Sequence, residues 1–127
     1  MNRSYLPSLA LLALILAFSL WSSSSISADT RRWRQQLDQA DTLAQQENWP
    51  AAAEVLSGSY RDWTARQGKL HILLRHDAIN DAEAMYLRAM AFAATEEPRE
   101  FRAELADLRS QLRLLAELEQ LSLKNVL

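Results

Sequence analysis

The sequence predicts an all-α protein, with an N-terminal transmembrane or signal helix followed by a small antiparallel four-helix bundle or two stacked helical hairpins. Three observations predict it. Only 2 glycines and 3 prolines occur in 127 residues, and Ala, Leu, Gln, Glu and Arg, which lose little entropy in helices, dominate. From Ser4 to Ala28 there is no charged residue, and Leu9–Phe18 (LALLALILAF) is apolar throughout. Beyond Asp29 apolar residues recur at intervals of three and four, the period of a helix with one buried face.

The N-terminal run divides the chain into a segment 1–28 and a domain 29–127. As a helix the most apolar part, Leu6–Trp21, rises about 24 Å, less than a hydrocarbon core of about 30 Å, whereas Ser4–Ile26 rises about 34 Å. Spanning therefore brings the serines into the interface, with Trp21 at the headgroup level. A cleaved signal peptide is the alternative: Arg3 is its brief positive region, and Ser25, Ser27 and Ala28 suit a peptidase cutting near Ala28. Either reading predicts an extracytoplasmic domain, single-pass at the cell membrane or secreted. Arg3 opposes Arg31, Arg32 and Arg34 across the run, so basic residues alone do not fix the orientation, and a cytoplasm-facing adaptor is the rival topology.

Within the domain, Trp33, Leu37, Ala40 and Ala44 mark the inner face of a first amphipathic segment, about Asp29–Glu47. Asn48 then supplies a capping acceptor and Pro50 suits a first turn. The second helix should bury Ala52, Ala53, Leu56, Tyr60 and Trp63, with Gly58 weakening it or permitting a close crossing. A break near Gly68 precedes a long third pattern, Lys69 to about Ala94, whose stripe reads Ile72, His76, Ile79, Glu83, Tyr86, Leu87 and Met90. Thr95-Glu96-Glu97-Pro98 opens the last helix, with a cap candidate and acids that suit its positive end. Its inner face is Phe101, Leu105, Leu108, Leu112 and Leu115. Turns this short make consecutive helices antiparallel.

From Trp49 to the C-terminus the residues form a recognisable pattern. It comprises Trp49, Ala52 and Leu56 in W-x-x-A-x-x-x-L, then Trp63, then His76, Ile79 and Glu83 in H-x-x-I-x-x-x-E, and the closing LSLKNVL of Leu121–Leu127. In these the chain resembles DUF4363, an uncharacterised family of clostridia-type proteins. The resemblance implies a short membrane-anchored helical protein with no assigned activity, and it supplies no catalytic residues.

Composition narrows the partners. The 14 basic and 16 acidic residues, net −2, are interspersed, so no basic stripe is present to neutralise a phosphate backbone, and nucleic acid is not expected. The absence of cysteine excludes disulfides, thiolate metal sites and cysteine nucleophiles. No Gly-rich phosphate loop, G-x-S-x-G elbow or H-E-x-x-H helix is present, and no cofactor, metal or small-molecule substrate is expected. The expected partners are the membrane, through residues 4–26, and another envelope protein.

His76 and Glu83 are the one polar pair that interrupts an apolar face. As an acid–base couple or metal ligands they would centre a small enzyme or metal-binding protein. Seven residues separate them by about 10.5 Å along a helix, too far for a direct hydrogen bond or a shared metal. A structural role is expected instead, with His76 donating inside the bundle and Glu83 meeting an arginine such as Arg61 or Arg109. His71 is expected to be exposed. Trp33, Trp49 and Trp63 read as core or helix–helix contacts, or as an aromatic binding surface. The apolar tail with Leu121, Leu123 and Leu127 is expected to fold back over the bundle end or to dock onto another protein. The function expected is that of a membrane-tethered interaction or structural module without catalysis.

Overall fold

The computed structural model describes residues 6–66 and 76–126, with side chains over 6–18, 28–66 and 76–121. Four helices account for nearly all of these residues: α1 (Leu6–Gln45), α2 (Trp49–Ala65), α3 (His76–Ala94) and α4 (Pro98–Val126). α1 packs against α2 and α4, and α3 packs against the same two helices, which closes a four-membered ring. Cross-helix pairs fix the directions. Tyr60 bonds Glu83 and Ser59 bonds Tyr86, Arg88 bonds Glu104 and Gln111 reaches the Ala78 carbonyl, and Asp38 and Asp41 meet Arg109 and Arg102. In every set, position rises on one helix as it falls on the other, so the bundle is up-down-up-down.

The hydrophobic segment and the first amphipathic segment, expected as two elements, are one helix of 40 residues. The four serines at 22–25 cost only a few tenths of a kcal/mol each in a helix, and with no glycine or proline among them nothing stops it. α1 ends instead at a Schellman motif. Glu47 adopts φ 61°, its N–H bonds the Ala44 carbonyl at 3.0 Å, and the Asn48 N–H bonds Leu43 at 2.9 Å, so the last carbonyls of the helix are satisfied. Asn48 at once caps α2, its Oδ1 accepting from the Ala51 N–H at 3.4 Å, with Pro50 in the first turn.

The α3–α4 turn repeats this device. Glu96 has φ 54°, its N–H bonds Ala93 at 3.2 Å and the Glu97 N–H bonds Phe92 at 3.0 Å. Thr95, expected to cap the last helix, lies before its start: its hydroxyl donates to Glu97 Oε2 at 2.7 Å and lies 3.2 Å from the Ala91 carbonyl, and α4 starts from Glu97, whose carbonyl accepts from Phe101. Neither turn contains the glycine that usually marks such a motif, so neither carried that signal in the sequence.

The core contains every residue assigned to the inner faces of α1 and α4: Trp33, Leu37, Ala40 and Ala44, and Phe101, Leu105, Leu108, Leu112 and Leu115. On α2, Ala52, Leu56 and Trp63 are buried as expected, but Ser59 takes the place assigned to Tyr60, which is half-buried with Ala53. Gly58 neither breaks α2 nor serves a close crossing, because a Cβ there would meet only Arg61 Nη2, at 3.9 Å. The stripe on α3 is rotated from the expected one. Ala78, Ile79, Ala82, Tyr86, Ala89 and Ala93 face the core, while His76 and Leu87 are exposed and Glu83 and Met90 lie at the margin. Alanines permit close helix approach, and larger neighbours such as Met85, Met90 and Phe92 pack around the edge. The expected break at Gly68, with His71 and Ile72, lies outside the described residues.

Candidate functional site

The features that distinguish this bundle gather at the end where α1 leaves it. Beyond that end, Leu6, Leu9, Leu11, Leu12, Leu14, Ile15, Leu16 and Phe18 are 39–68 % exposed. At 100° per residue they occupy all sides of the helix, so no single neighbour could cover them. Among the described residues no helix is long and apolar enough to cross a membrane. The described run 6–18 rises about 20 Å, and the span expected at 4–26 extends past it.

Where the arm meets the bundle, a polar collar joins α1 to α2. Asp62 accepts from the Trp33 indole N–H at 2.9 Å and from Arg32 Nε at 2.8 Å, and Arg32 Nη2 closes on the same carboxylate oxygen. The other terminal nitrogen of Arg32 reaches Asp29 Oδ1 at 2.9 Å, and Arg66 reaches Asp29 Oδ2 at 3.4 Å. Asp29 is buried, and its two arginines make that burial tolerable. The Arg32 guanidinium also lies 5.9 Å from the Trp33 ring centroid. One α2 carboxylate thus holds an arginine and a tryptophan of α1, which fixes α1's rotation where it enters the core.

One turn further in, Ser59 and Tyr86 share a buried 2.9 Å hydrogen bond, and Tyr60 donates to Glu83 Oε1 at 3.1 Å. Trp63 packs 5.5 Å from Tyr86, and Tyr60 lies 5.6 Å from Tyr86. Burial raises the Tyr86 hydroxyl pKa against the opposing Ser59 hydrogen bond, with a smaller contribution from the Asp62 charge. Tyr60 is raised too, by desolvation and by its bond to Glu83. These hydroxyls stay protonated through the physiological range, so they do not serve as bases.

The residues singled out from the sequence are scattered. His76, expected inside the bundle, is exposed at the start of α3. Glu83 takes its hydrogen bond from Tyr60, and Arg109 pairs with Asp38 instead. Trp33 and Trp63 are core residues, while half-buried Trp49 packs edge-on against Phe101 at 5.3 Å, at the opposite end. There a cleft of about 460 Å³ is lined by Ala44, Gln45, Glu47, Trp49, Glu96 and Pro98. The tail does not fold back: α4 continues through Val126, with Leu121 exposed. The side chain of Leu123, and Leu127 altogether, lie outside the described residues. Among the described residues no group of three or more His, Asp or Glu could hold a metal ion.

Ser59, Glu119 and Asp62 were not singled out from the sequence. Ser59 and buried Glu119 continue inner stripes at helical spacing, 52-56-59-63 and 112-115-119, so periodicity could have flagged both. The partnership of Asp62 with Trp33 joins residues 29 positions apart and leaves no local signal.

The whole bundle and the junction with the arm fall within a family match. The family model described as Domain of unknown function (DUF4363) matches residues 20–126. The chain belongs to the DUF4363 family. The W-x-x-A-x-x-x-L start of α2 and the LSLKNVL ending, in which the resemblance was seen, both lie within the matched region, apart from the last residue. No curated protein and no solved structure gives a significant match.

Proposed function

We propose that this DUF4363 chain is a membrane-tethered, extracytoplasmic interaction or structural module that performs no chemistry of its own. One observation carries the reading: eight large apolar side chains stand exposed on every side of a helix that continues unbroken into the core of the bundle. Removing such side chains from water is worth about 1.5–3 kcal/mol each when complete, so even partial exposure opposes solubility by on the order of 10 kcal/mol, which a bilayer would recover. The unbroken α1, clamped by Asp62 through Trp33 and Arg32, supports a further point. A bundle so joined is held at a set orientation to its anchor, as suits a module that presents a face to another envelope protein.

The rival reading, an enzyme centred on His76 and Glu83, is disfavoured by the exposure of His76 and by the bond between Glu83 and Tyr60. Two measurements test the proposal in cells. The chain should resist extraction from membranes by alkaline carbonate, and a C-terminal reporter active only outside the cytoplasm should be active. Recovery of uncleaved protein in the soluble fraction refutes the tether. Activity of a cytoplasm-only reporter refutes the topology and favours a cytoplasm-facing adaptor.

A further inference from the structure

At the end of the bundle opposite the arm, two turns meet, and each places a glutamate at the same surface. Glu47 closes α1 and Glu96 closes α3, and both line the cleft of about 460 Å³. Past Trp49 and Glu96, which line both, a second cleft of about 200 Å³ continues it over Pro50, Ala53 and Ala93. Half-buried Trp49 is thus the wall the two clefts share, and Phe101, a core residue, packs edge-on against its ring at 5.3 Å. The ring is held in place before anything enters.

The charge at this end is one-sided. Residues 44–54 and 92–100 contain Glu47, Glu54, Glu96, Glu97 and Glu100 but only one cation, Arg99, and all six are exposed. The next arginine, Arg102, is paired with Asp41. Among the described residues neither the Glu47 nor the Glu96 carboxylate is engaged by a hydrogen bond or an ion pair. An indole ring beside such carboxylates complements a guanidinium, which stacks on aromatic rings and bonds carboxylates through its planar fork. The same charge repels an anionic bilayer, a nucleic acid or a second copy of this end. Among the described residues no group of three or more acidic or histidine side chains could hold a metal ion there.

We propose that these adjoining clefts dock an arginine-bearing segment of an envelope partner protein, with one guanidinium against Trp49 and the Glu47 and Glu96 carboxylates as its counter-charges. This rests on the reading of the chain as a tethered interaction module and names the face it presents. With the arm in the bilayer, the clefts lie about 24 Å further along α1 than Asp29, at the end away from the lipid. Two clefts joined at one aromatic wall have room for a segment that carries more than a single side chain.

The full chain in dodecyl maltoside micelles, labelled with nitrogen-15 at the indoles of its 4 tryptophans, gives one indole N–H resonance per ring, and Trp49→Phe assigns the one of interest. The probe is a short blocked peptide of alternating alanine and arginine, compared with its glutamine counterpart and with a single blocked arginine. The arginine peptide should shift the Trp49 resonance saturably and the glutamine peptide should not. Glu47→Gln/Glu96→Gln should weaken binding about fivefold, as for two exposed ion pairs. Glu47→Gly/Glu96→Gly, which relieves both left-handed residues, should weaken it equally in a protein no less stable, which separates loss of charge from loss of fold. No shift at Trp49, a shift confined to the other tryptophans, or undiminished binding by the glutamine variant overturns the proposal. Equal affinity for the single blocked arginine overturns it in favour of a small cation, and an equal shift by magnesium chloride in favour of a divalent metal. A Trp49 shift that follows protein concentration without peptide overturns it in favour of a second copy. Each of these failures leaves the tether standing, which carbonate extraction decides separately.

Discussion

Glu47 and Glu96 close two helices in a left-handed backbone conformation, φ 61° and 54°, and replacing each by glycine should stabilise the bundle. An L-residue held there costs about 1–2 kcal/mol, whereas glycine is unstrained but loses about 0.5–1 kcal/mol through the greater freedom of its unfolded chain. The four turn hydrogen bonds, at 2.9–3.2 Å, all use backbone atoms and survive the change. Each carboxylate sits after one helix C-terminus and before the next N-terminus, so its helix-dipole contributions largely cancel. The net gain is about 0.5–1 kcal/mol per site, and Glu47→Gly/Glu96→Gly together should raise the melting temperature by about 5–10 °C for a domain of this size. Urea and thermal unfolding of the full chain in nonionic detergent, followed by far-UV circular dichroism and tryptophan emission, measures it. Glu47→Asn should also gain slightly, and Glu47→Val, β-branched in this conformation, should lose a further 1 kcal/mol or so. Glycine variants no more stable than the parent, with the valine variant equal to both, would refute the reasoning.

Three other outcomes are expected. Asp62→Ala strands the buried Trp33 indole N–H and removes the shared partner of Arg32, so it should destabilise the fold by about 2–3 kcal/mol, more than Arg32→Ala does; equal losses in urea titrations would show that the indole bond contributes nothing. Gly58→Ala adds a Cβ with no neighbour nearer than 3.9 Å in mid-helix and should gain about 0.5–1 kcal/mol, whereas a loss would mean that the site is tighter than described. For Tyr86 the folded pKa is raised by burial, so its stabilising contribution is complete below the unfolded value near 10 and falls as pH rises past it, by about 1.4 kcal/mol per pH unit. Tyr86→Phe should therefore cost about 1 kcal/mol at pH 7 and flatten the alkaline decline between pH 10 and 11; an unchanged slope would remove Tyr86 as its source.

Much of the fold was legible because helix periodicity is a local property. The five inward residues of α4 and the four of α1 were correctly placed from spacing alone, as were the break after α1 and the cap at Asn48. On α3 the same reasoning held for Ile79 and Tyr86 but failed for His76, Glu83, Leu87 and Met90. Its large apolar residues suggested one face, yet the helix approaches its neighbours on Ala78, Ala82, Ala89 and Ala93, which a ranking by hydrophobicity undervalues. A phase error of one residue turns a helix by 100°, enough to move His76 from the inside to the surface. The candidate site was less legible still. Asp62 with Trp33, Ser59 with Tyr86 and Tyr60 with Glu83 join residues 23–29 positions apart, and no window along the chain contains both partners.

The amino-acid sequence by itself determined the helical class, the family pattern and the uncharged, largely apolar character of residues 4–26, because composition, spacing and an uncharged run act within a few turns of chain. Only the tertiary structure decided that α1 passes unbroken from that run into the bundle, that one α2 carboxylate fixes its rotation, and that α4 ends beside it. Those outcomes depend on which helix lies against which and at what register. Register is set by the joint packing of four helices, a quantity that belongs to no single stretch of the chain.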